Sequence, residues 1–457
     1  MSDRRKAFDE YDKYTPVPKG LGNIGNTCFF NSATQCLVHL KYLFKALTEW
    51  KYGTMKSPLL TLRSELPVLN RTFMWILLRS YTNPEEETYG RYLTPRQFHN
   101  AFVHEYSAFR GYGQHDSHEC SVLLLEALDL GIKKFLMDKC SYPKTKPSPI
   151  EEIFNFPVEQ TVTCAQCECQ FLSKSSWMDL TLELKRTKIQ QQLMGKPSSM
   201  ASDDDHLLYS IMESMPGREE PKKLSPHSLE YLLWLFTEPD PVPRDAGYVC
   251  ERCSLRKAKM SNKNAAFQPW LDVLHAKQEE AIEKHGCVIR DGEGDIDYEL
   301  DKLRKDQSWL RSNNSLLVGN RRELSAIMTE KRPVIRRCEL KGLPKVLMIH
   351  LNRFNSGERR RSMFSSFFSF GGSKDDTSIQ YPEYLDLSHL IPGYKYRLSS
   401  ISIHSGSLGF GHYTAFARCG KEWYYFNDSM TEPTSPVHAL TATSGAYMLY
   451  YELEEEE

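Results

Sequence analysis

Residues 20–40 read Gly20-Leu-Gly-Asn-Ile-Gly-Asn-Thr-Cys28-Phe-Phe-Asn-Ser-Ala-Thr-Gln-Cys-Leu-Val-His-Leu40. Three glycines permit a tight loop, Asn26 or Thr27 can serve as an N-cap, and Phe29, Ala33, Cys36, Leu37 and Leu40 follow at helical spacing. This predicts a helix whose first turn carries the Cys28 thiol. Unpaired N–H groups and the positive end of the helix dipole favour a thiolate there, the nucleophilic form of cysteine. The competing reading is a small apolar residue closing the helix entrance.

Outward from this stretch, composition narrows the function classes. The 457 residues carry 58 basic and 59 acidic side chains, a net charge of −1, so bulk electrostatics favour neither nucleic acid nor an anionic membrane. Forty per cent apolar residues supply a large core. No run approaches the roughly 18 apolar residues of a membrane span, and Met1 to Lys6 leads into a polar segment without a secretory apolar region. An intracellular protein is expected, in cytoplasm or nucleus, with its twelve cysteines reduced, metal-bound or catalytic.

Helical signals dominate to about residue 140: Leu59–Ser80 broken at Pro67, Arg96–Arg110 after Thr94-Pro95, and a helix opened by Gln114-His-Asp116-Ser-His-Glu119-Cys120. Strands are expected at Phe154–Thr163, Phe171–Leu184, Val346–Leu351, Leu398–His404, His412–Arg418, Glu422–Asn427 and Ala446–Glu452, as an antiparallel sheet. Residues 186–223 read as a flexible insertion, Leu224–Phe236 as an apolar helix, 261–332 as a charged, mostly solvated helical block and 356–377 as a loop. Helices first and strands later describe an α+β chain whose two halves build one cleft.

A nucleophilic cysteine needs a base and a group that orients the base. If Cys419-Gly420-Lys421 is a hairpin loop, Arg418 pairs with Glu422 and His412 falls opposite Asp428, or Asn427 with a shorter loop. Opposed residues hold their Cβ atoms about 5 Å apart, so an imidazole and an amide or carboxylate meet by local register alone. Cys164-Ala-Gln-Cys167 and Cys250-Glu-Arg-Cys253 are two knuckles of the kind that together make a four-thiolate site for structural zinc, with Cys169 as a substitute ligand. Asp116-x-x-Glu119 has capping-box spacing.

Gly-Asn-Thr-Cys28-Phe-Phe-Asn, the Gln114–Glu119 segment, Leu343-Pro-Lys-Val-Leu-Met-Ile-His-Leu-Asn-Arg353-Phe354, Gly-His412-Tyr-Thr-Ala-Phe and Trp423-Tyr-Tyr-Phe-Asn-Asp-Ser resemble, in order, the sequence boxes of the ubiquitin-specific proteases, papain-like deubiquitinating enzymes. The resemblance runs from about Gly20 to Leu453, apart from the two insertions. It implies a papain-like fold with a helical thumb (20–150), zinc-tied β fingers with adjoining palm (151–185 and 224–260) and an antiparallel β palm (333–457). The two insertions, 186–223 and 261–332, become candidate surfaces for a regulatory protein.

It further implies Cys28 as nucleophile, His412 as general base then acid, Asn427 or Asp428 as the orienting residue, and Asn23 as side-chain donor to the oxyanion. Gln114, Asp116, Glu119, His404 and Tyr413 are implied contacts for ubiquitin's Arg- and Gly-rich tail, beside a Ser405–Gly411 loop that moves over the cleft. The chain departs from the family's habit at His115 and Cys120, which bears on tail contacts. A silent ubiquitin-binding scaffold, a protease for another modifier ending in Gly-Gly, and a zinc-binding interaction module are the rival classes.

Overall fold

A computed structural model describes residues 15–81, 92–186, 202–215, 224–246, 248–260, 268–305, 329–354, 374–388, 390–407 and 410–454. The loop expected at 356–377 falls mostly outside them, as do parts of both insertions. The thumb holds α1 (Cys28–Val38), α2 (Val68–Arg79), α3 (Arg96–Glu105) and α4 (Ser117–Cys140). All eleven residues of α1 are buried, so the helix is enclosed on every face. Its polar side chains are bonded both within the helix and to distant segments. Thr34 Oγ1 donates to the Phe30 carbonyl at 2.7 Å and Gln35 Nε2 to the Lys19 carbonyl at 2.8 Å.

The palm is a mixed sheet of β3 (Asp179–Glu183), β7 (Val346–Asn352), β8 (Tyr384–Asp386), β9 (Lys395–Ser405), β10 (His412–Cys419), β11 (Glu422–Asn427), β12 (Met430–Thr434) and β13 (Ala446–Leu453). Its order is β12-β11-β10-β9-β13-β7-β3, with β8 on β9, and every pairing is antiparallel except β7 with β3. Period-two alternation sorts its side chains. Tyr413, Ala415 and Ala417 join the thumb core around α1, whereas Phe416, Leu449 and Tyr451 face a second core. A seam of small hydroxyls, Ser32, Ser117 and Ser402, lets α1 and α4 approach β9 closely.

The fingers are a five-stranded sheet. Its strands are β1 (Phe156–Cys164), β2 (Gln170–Trp177), β4 (Asp240–Val242), β5 (Val288–Ile289) and β6 (Val334–Leu340), in the order β4-β6-β1-β2-β5. β6 lies in the segment assigned to the palm, but it pairs with β1 through seven residues. The first insertion contributes α5 (Asp203–Ser214), whose Leu208 and Ile211 pack on Ile335 of β6. Next come α6 (Leu229–Thr237) on the second core, α7 (Glu251–Lys259), α8 (Gln268–His285) and α9 (Ile296–Lys305). The charged block is not mostly solvated where it is described. Leu271, Leu274, Ala281 and Ile296 are buried, and Arg252 holds Glu279 through two bonds of 2.9 and 2.7 Å. Among the described residues, no helix is long and apolar enough to cross a membrane.

Arg353, fully buried, is the clasp of the palm's second face. Its guanidinium donates to the backbone carbonyls of Ala446, Asp375, Thr377 and Thr443 at 2.6–2.9 Å. Removing it orphans four acceptors at once. Arg353→Met is therefore expected to cost on the order of 3 kcal/mol or more in urea unfolding, and a midpoint within error of the parent would contradict this account.

Candidate active site and metal centre

The thiol loop is drawn against the strand end that follows β11. Leu21 N donates to the Asp428 carbonyl at 2.8 Å, and a Cβ on Gly20 would lie 2.3 Å from the Ser429 oxygen, so only glycine fits. Thr27 occupies the N-cap position of α1 without capping it. Its hydroxyl accepts from Ile24 N at 3.1 Å and donates to Asn23 Oδ1 at 3.3 Å, which folds the loop on itself. Cys28 then opens the helix, as its spacing predicts.

Its protonation differs from the expectation of a resting thiolate. Burial dominates and pushes the thiol pKa up, with the Asp428 carboxylate adding to the rise. The peptide N–H groups of Tyr413, Phe29 and Cys28 itself favour the thiolate and oppose the rise without cancelling it. The Tyr413 contact has a second meaning: it sets the thiol against the first residues of β10, where His412 stands.

The β10–β11 hairpin corrects the predicted register. Cys419 belongs to the strand and pairs with Glu422, leaving a two-residue turn with Gly420 at φ 64°, where a glycine relieves the strain. This one-residue change reverses which neighbour shares a face with His412. Asn427 is now on that face and Asp428 is turned away, the reverse of the longer-loop reading. His412 Nε2 lies 2.7 Å from Asn427 Oδ1. An amide oxygen only accepts, so Nε2 carries the proton and Nδ1 is the basic nitrogen. Asp428, left-handed at φ 50°, instead accepts from Asn23 Nδ2 at 2.9 Å and Asn31 Nδ2 at 2.7 Å.

The residues expected at the ubiquitin tail divide into two groups. Asp116 is the N-cap of α4, accepting from His118 N at 2.6 Å and Glu119 N at 3.1 Å, and it also receives the Tyr447 hydroxyl. His404 and Tyr413 are buried in a ring cluster with Tyr447. Burial holds the His404 pKa down at about 4. These three are held by partners within the protein, and Gln114 and Glu119 are half-buried. The Gln114 amide clamps Gly411 at both ends, donating to its carbonyl at 2.6 Å and accepting from its N–H at 2.9 Å. Glu119 is only partly buried, yet burial, with Asp116 nearby and against the pull of His118, raises its pKa to about 7.

The metal signal resolves into one cluster. The thiol sulfurs of Cys164, Cys167, Cys250 and Cys253 all lie within 4.8 Å of one another. Cys164 and Cys253 are 3.9 Å apart, Cys167 and Cys250 3.7 Å. Four thiolates about 2.3 Å from one tetrahedral ion are about 3.8 Å apart, so the donor set and its spacing fit zinc. One knuckle closes the end of β1, and the other opens α7, where the Cys250 sulfur accepts from Cys253 N. Cys169 lies beside them, outside the four-sulfur group.

With this geometry in hand, residues 19–451 match the family described as ubiquitin carboxyl-terminal hydrolase. The chain belongs to this family. It is 24% identical over 440 residues to "Ubiquitin carboxyl-terminal hydrolase 2" of Rattus norvegicus, covering 95% of this chain and 54% of that protein. To "Ubiquitin carboxyl-terminal hydrolase 10" of Saccharomyces cerevisiae it is 25% identical over 456 residues, covering 97% and 48%. The chain thus spans about half the length of these relatives. Its fold is similar to that in "Structure of the SAGA Ubp8/Sgf11/Sus1/Sgf73 DUB module bound to ubiquitin aldehyde", at TM-score 0.55 and 18% identity, covering 98% of this chain and 71% of that one. The α+β, papain-like architecture is that of this hydrolase fold.

Several neighbours of the site in this family member left no local signal. His118 Nε2 bonds Asp179 Oδ2 at 2.8 Å, and its ring stacks on His350 with centroids 3.9 Å apart. Burial opposes charge on His118, but Asp179 outweighs it and raises its pKa, whereas burial drives His350 far down. Asn31 and Tyr447 are likewise read only from the fold.

Three outcomes follow from this geometry. Because the resting thiol is protonated, mass-spectrometric alkylation of Cys28 is expected to be slow at pH 7 and to accelerate beyond the ordinary thiol range; fast labelling at neutral pH would show a thiolate instead. Asn427→Ala is expected to lower kcat about 10²-fold by freeing the His412 ring, and an unchanged kcat would dismiss that pairing. Metal analysis should find about one zinc per chain, with the finger sheet losing protection in hydrogen exchange after chelation. Fresh, active protein without metal would defeat the zinc assignment.

Proposed function

We propose that this protein is a deubiquitinating thiol protease that hydrolyses the isopeptide or peptide bond after ubiquitin's C-terminal glycine. The observation that carries this reading is the His412–Asn427 bond beside a thiol reached by the Tyr413 N–H. His412 Nδ1 takes the Cys28 proton as the sulfur attacks the glycine carbonyl. Asn23 donates to the oxyanion of the tetrahedral intermediate, a contribution worth about 3 kcal/mol where such donors have been removed. His412 returns the proton to the leaving amine, and the thioester is then attacked by a water that His412 deprotonates, releasing the ubiquitin carboxylate and the Cys28 thiol.

Zinc, when bound, supplies no catalytic step here: a closed four-thiolate set has no open position, and its role is to tie the two finger knuckles together. Those fingers are placed to grip the ubiquitin globule, and Gln114 and Glu119 to meet its basic tail. In this reading Asp116, His404 and Tyr413 shape a channel that excludes any side chain where the Gly-Gly must pass. We place the protein inside the cell, in cytoplasm or nucleus, and the two insertions remain surfaces for a regulatory partner.

Ubiquitin carrying a C-terminal electrophile is expected to label the full chain, and labelling should vanish in Cys28→Ser. Failure to label marks a silent scaffold, and labelling only by another modifier's probe transfers the substrate assignment. A pH series tests Glu119. With its pKa near 7, Glu119 becomes anionic as pH rises from 6 to 8, so KM for ubiquitin substrates should fall over that window. Glu119→Gln should flatten the change, and an identical profile in the variant would remove Glu119 from tail binding.

A further inference from the structure

Asn31 lies one helical turn after Cys28 and is 2% exposed. Its Nδ2 donates to Asp428 Oδ1 at 2.7 Å and to the Leu21 carbonyl at 3.2 Å, with the Gly22 carbonyl at 3.5 Å. Every group facing that nitrogen is an acceptor, so the amide orientation has a single solution. Its Oδ1 is buried and takes no hydrogen bond among the described residues. An orphaned acceptor in a helix core is a cost that an apolar side chain would avoid. The compensating feature is what the nitrogen holds.

That feature is one carboxylate shared by two amides. Asp428 sits on a left-handed corner, and its Oδ2 receives Asn23 Nδ2 at 2.9 Å while its Oδ1 receives Asn31. Asn23 Oδ1 is held in turn by Gly25 N at 2.9 Å and Thr27 N at 3.3 Å. The Asn23 amide is thereby fixed at both ends, with one Nδ2 hydrogen spent on Asp428 and the other left to donate. An oxyanion donor is effective to the degree that it is aimed before the charge develops. Asn23 itself is exposed, so without the carboxylate its side chain would be free to turn into solvent.

We propose that Asn31 is a positioning residue for the reaction: it anchors the Asp428 carboxylate, which aims the Asn23 amide at the oxyanion. The inference rests on the reading of Asn23 as the oxyanion donor. Asn31 touches no reacting atom; it acts through Asp428 and through the Leu21 carbonyl of the loop that carries Asn23.

The test is a double-mutant cycle on the full chain with ubiquitin bearing a C-terminal aminocoumarin. Asn31→Ala is expected to lower kcat about 10-fold to 10²-fold with KM unchanged, and Asn23→Ala to lower it about 10²-fold. The double variant should be no slower than Asn23→Ala alone. If the two losses multiply, or if Asn31→Ala moves KM and leaves kcat intact, the positioning role is overturned while the Asn23 reading stands. If Asn23→Ala leaves kcat unchanged, the oxyanion reading falls and takes this inference with it. Should Asn31→Ala fail to fold, Asn31→Asp carries the test. It sets a second carboxylate against Asp428 and two carbonyl oxygens, so its kcat relative to the parent should recover as pH falls and the two carboxyl groups share a proton. Equal impairment at every pH overturns the proposal.

Discussion

One corner residue joins the two ends of the chain. The Asp428 backbone oxygen holds Leu21, and its carboxylate holds Asn23 and Asn31, so the loop before the thiol and the strand end after the base are set by the same few atoms. Neither segment could hold its geometry alone. The loop is glycine-rich and the corner is left-handed, two conformations that short chains leave readily. Close approach at Gly20 and burial of α1 on all faces complete the lock.

Burial that fixes the nucleophile also opposes its ionisation. A thiol at the entrance of a fully enclosed helix loses solvation, and three peptide N–H groups only partly make up for it. In the proposed mechanism the thiol must therefore pass its proton to His412, and the orientation of that ring is set by one 2.7 Å bond to Asn427.

Much of this was legible in the sequence, and the misses have identifiable causes. The hairpin after His412 was visible, but Cys419 reads equally as loop or strand, and that one residue decides whether Asn427 or Asp428 faces the histidine. Two C-x-x-C knuckles announced a metal cluster because local spacing fixes thiol pairs, whereas the finger strands around them come from distant segments such as Val334–Leu340. The charged block hid its buried face because Leu271, Leu274 and Ala281 are diluted by acids and bases that pair across helices, as Arg252 does with Glu279. The capping role of Asp116 was legible in its spacing to Glu119, whereas the packing of His404 and Tyr413 in one ring cluster depends on strands brought together by the fold.

The sheet edge formed by β3 and β7 has an architectural consequence. These two strands are parallel neighbours, with Asp179 beside Met348, although residues 184–345 lie between them in sequence. Because the two strands are parallel, the chain leaves the palm at Glu183, beside Asn352, and re-enters at Val346, at the opposite end of β7. Lengthening such an excursion costs only a slowly growing closure entropy, about 0.6 kcal/mol per doubling for a flexible loop. That span contains none of Cys28, His412, Asn427 and Asp428, so added length there leaves their mutual contacts unchanged.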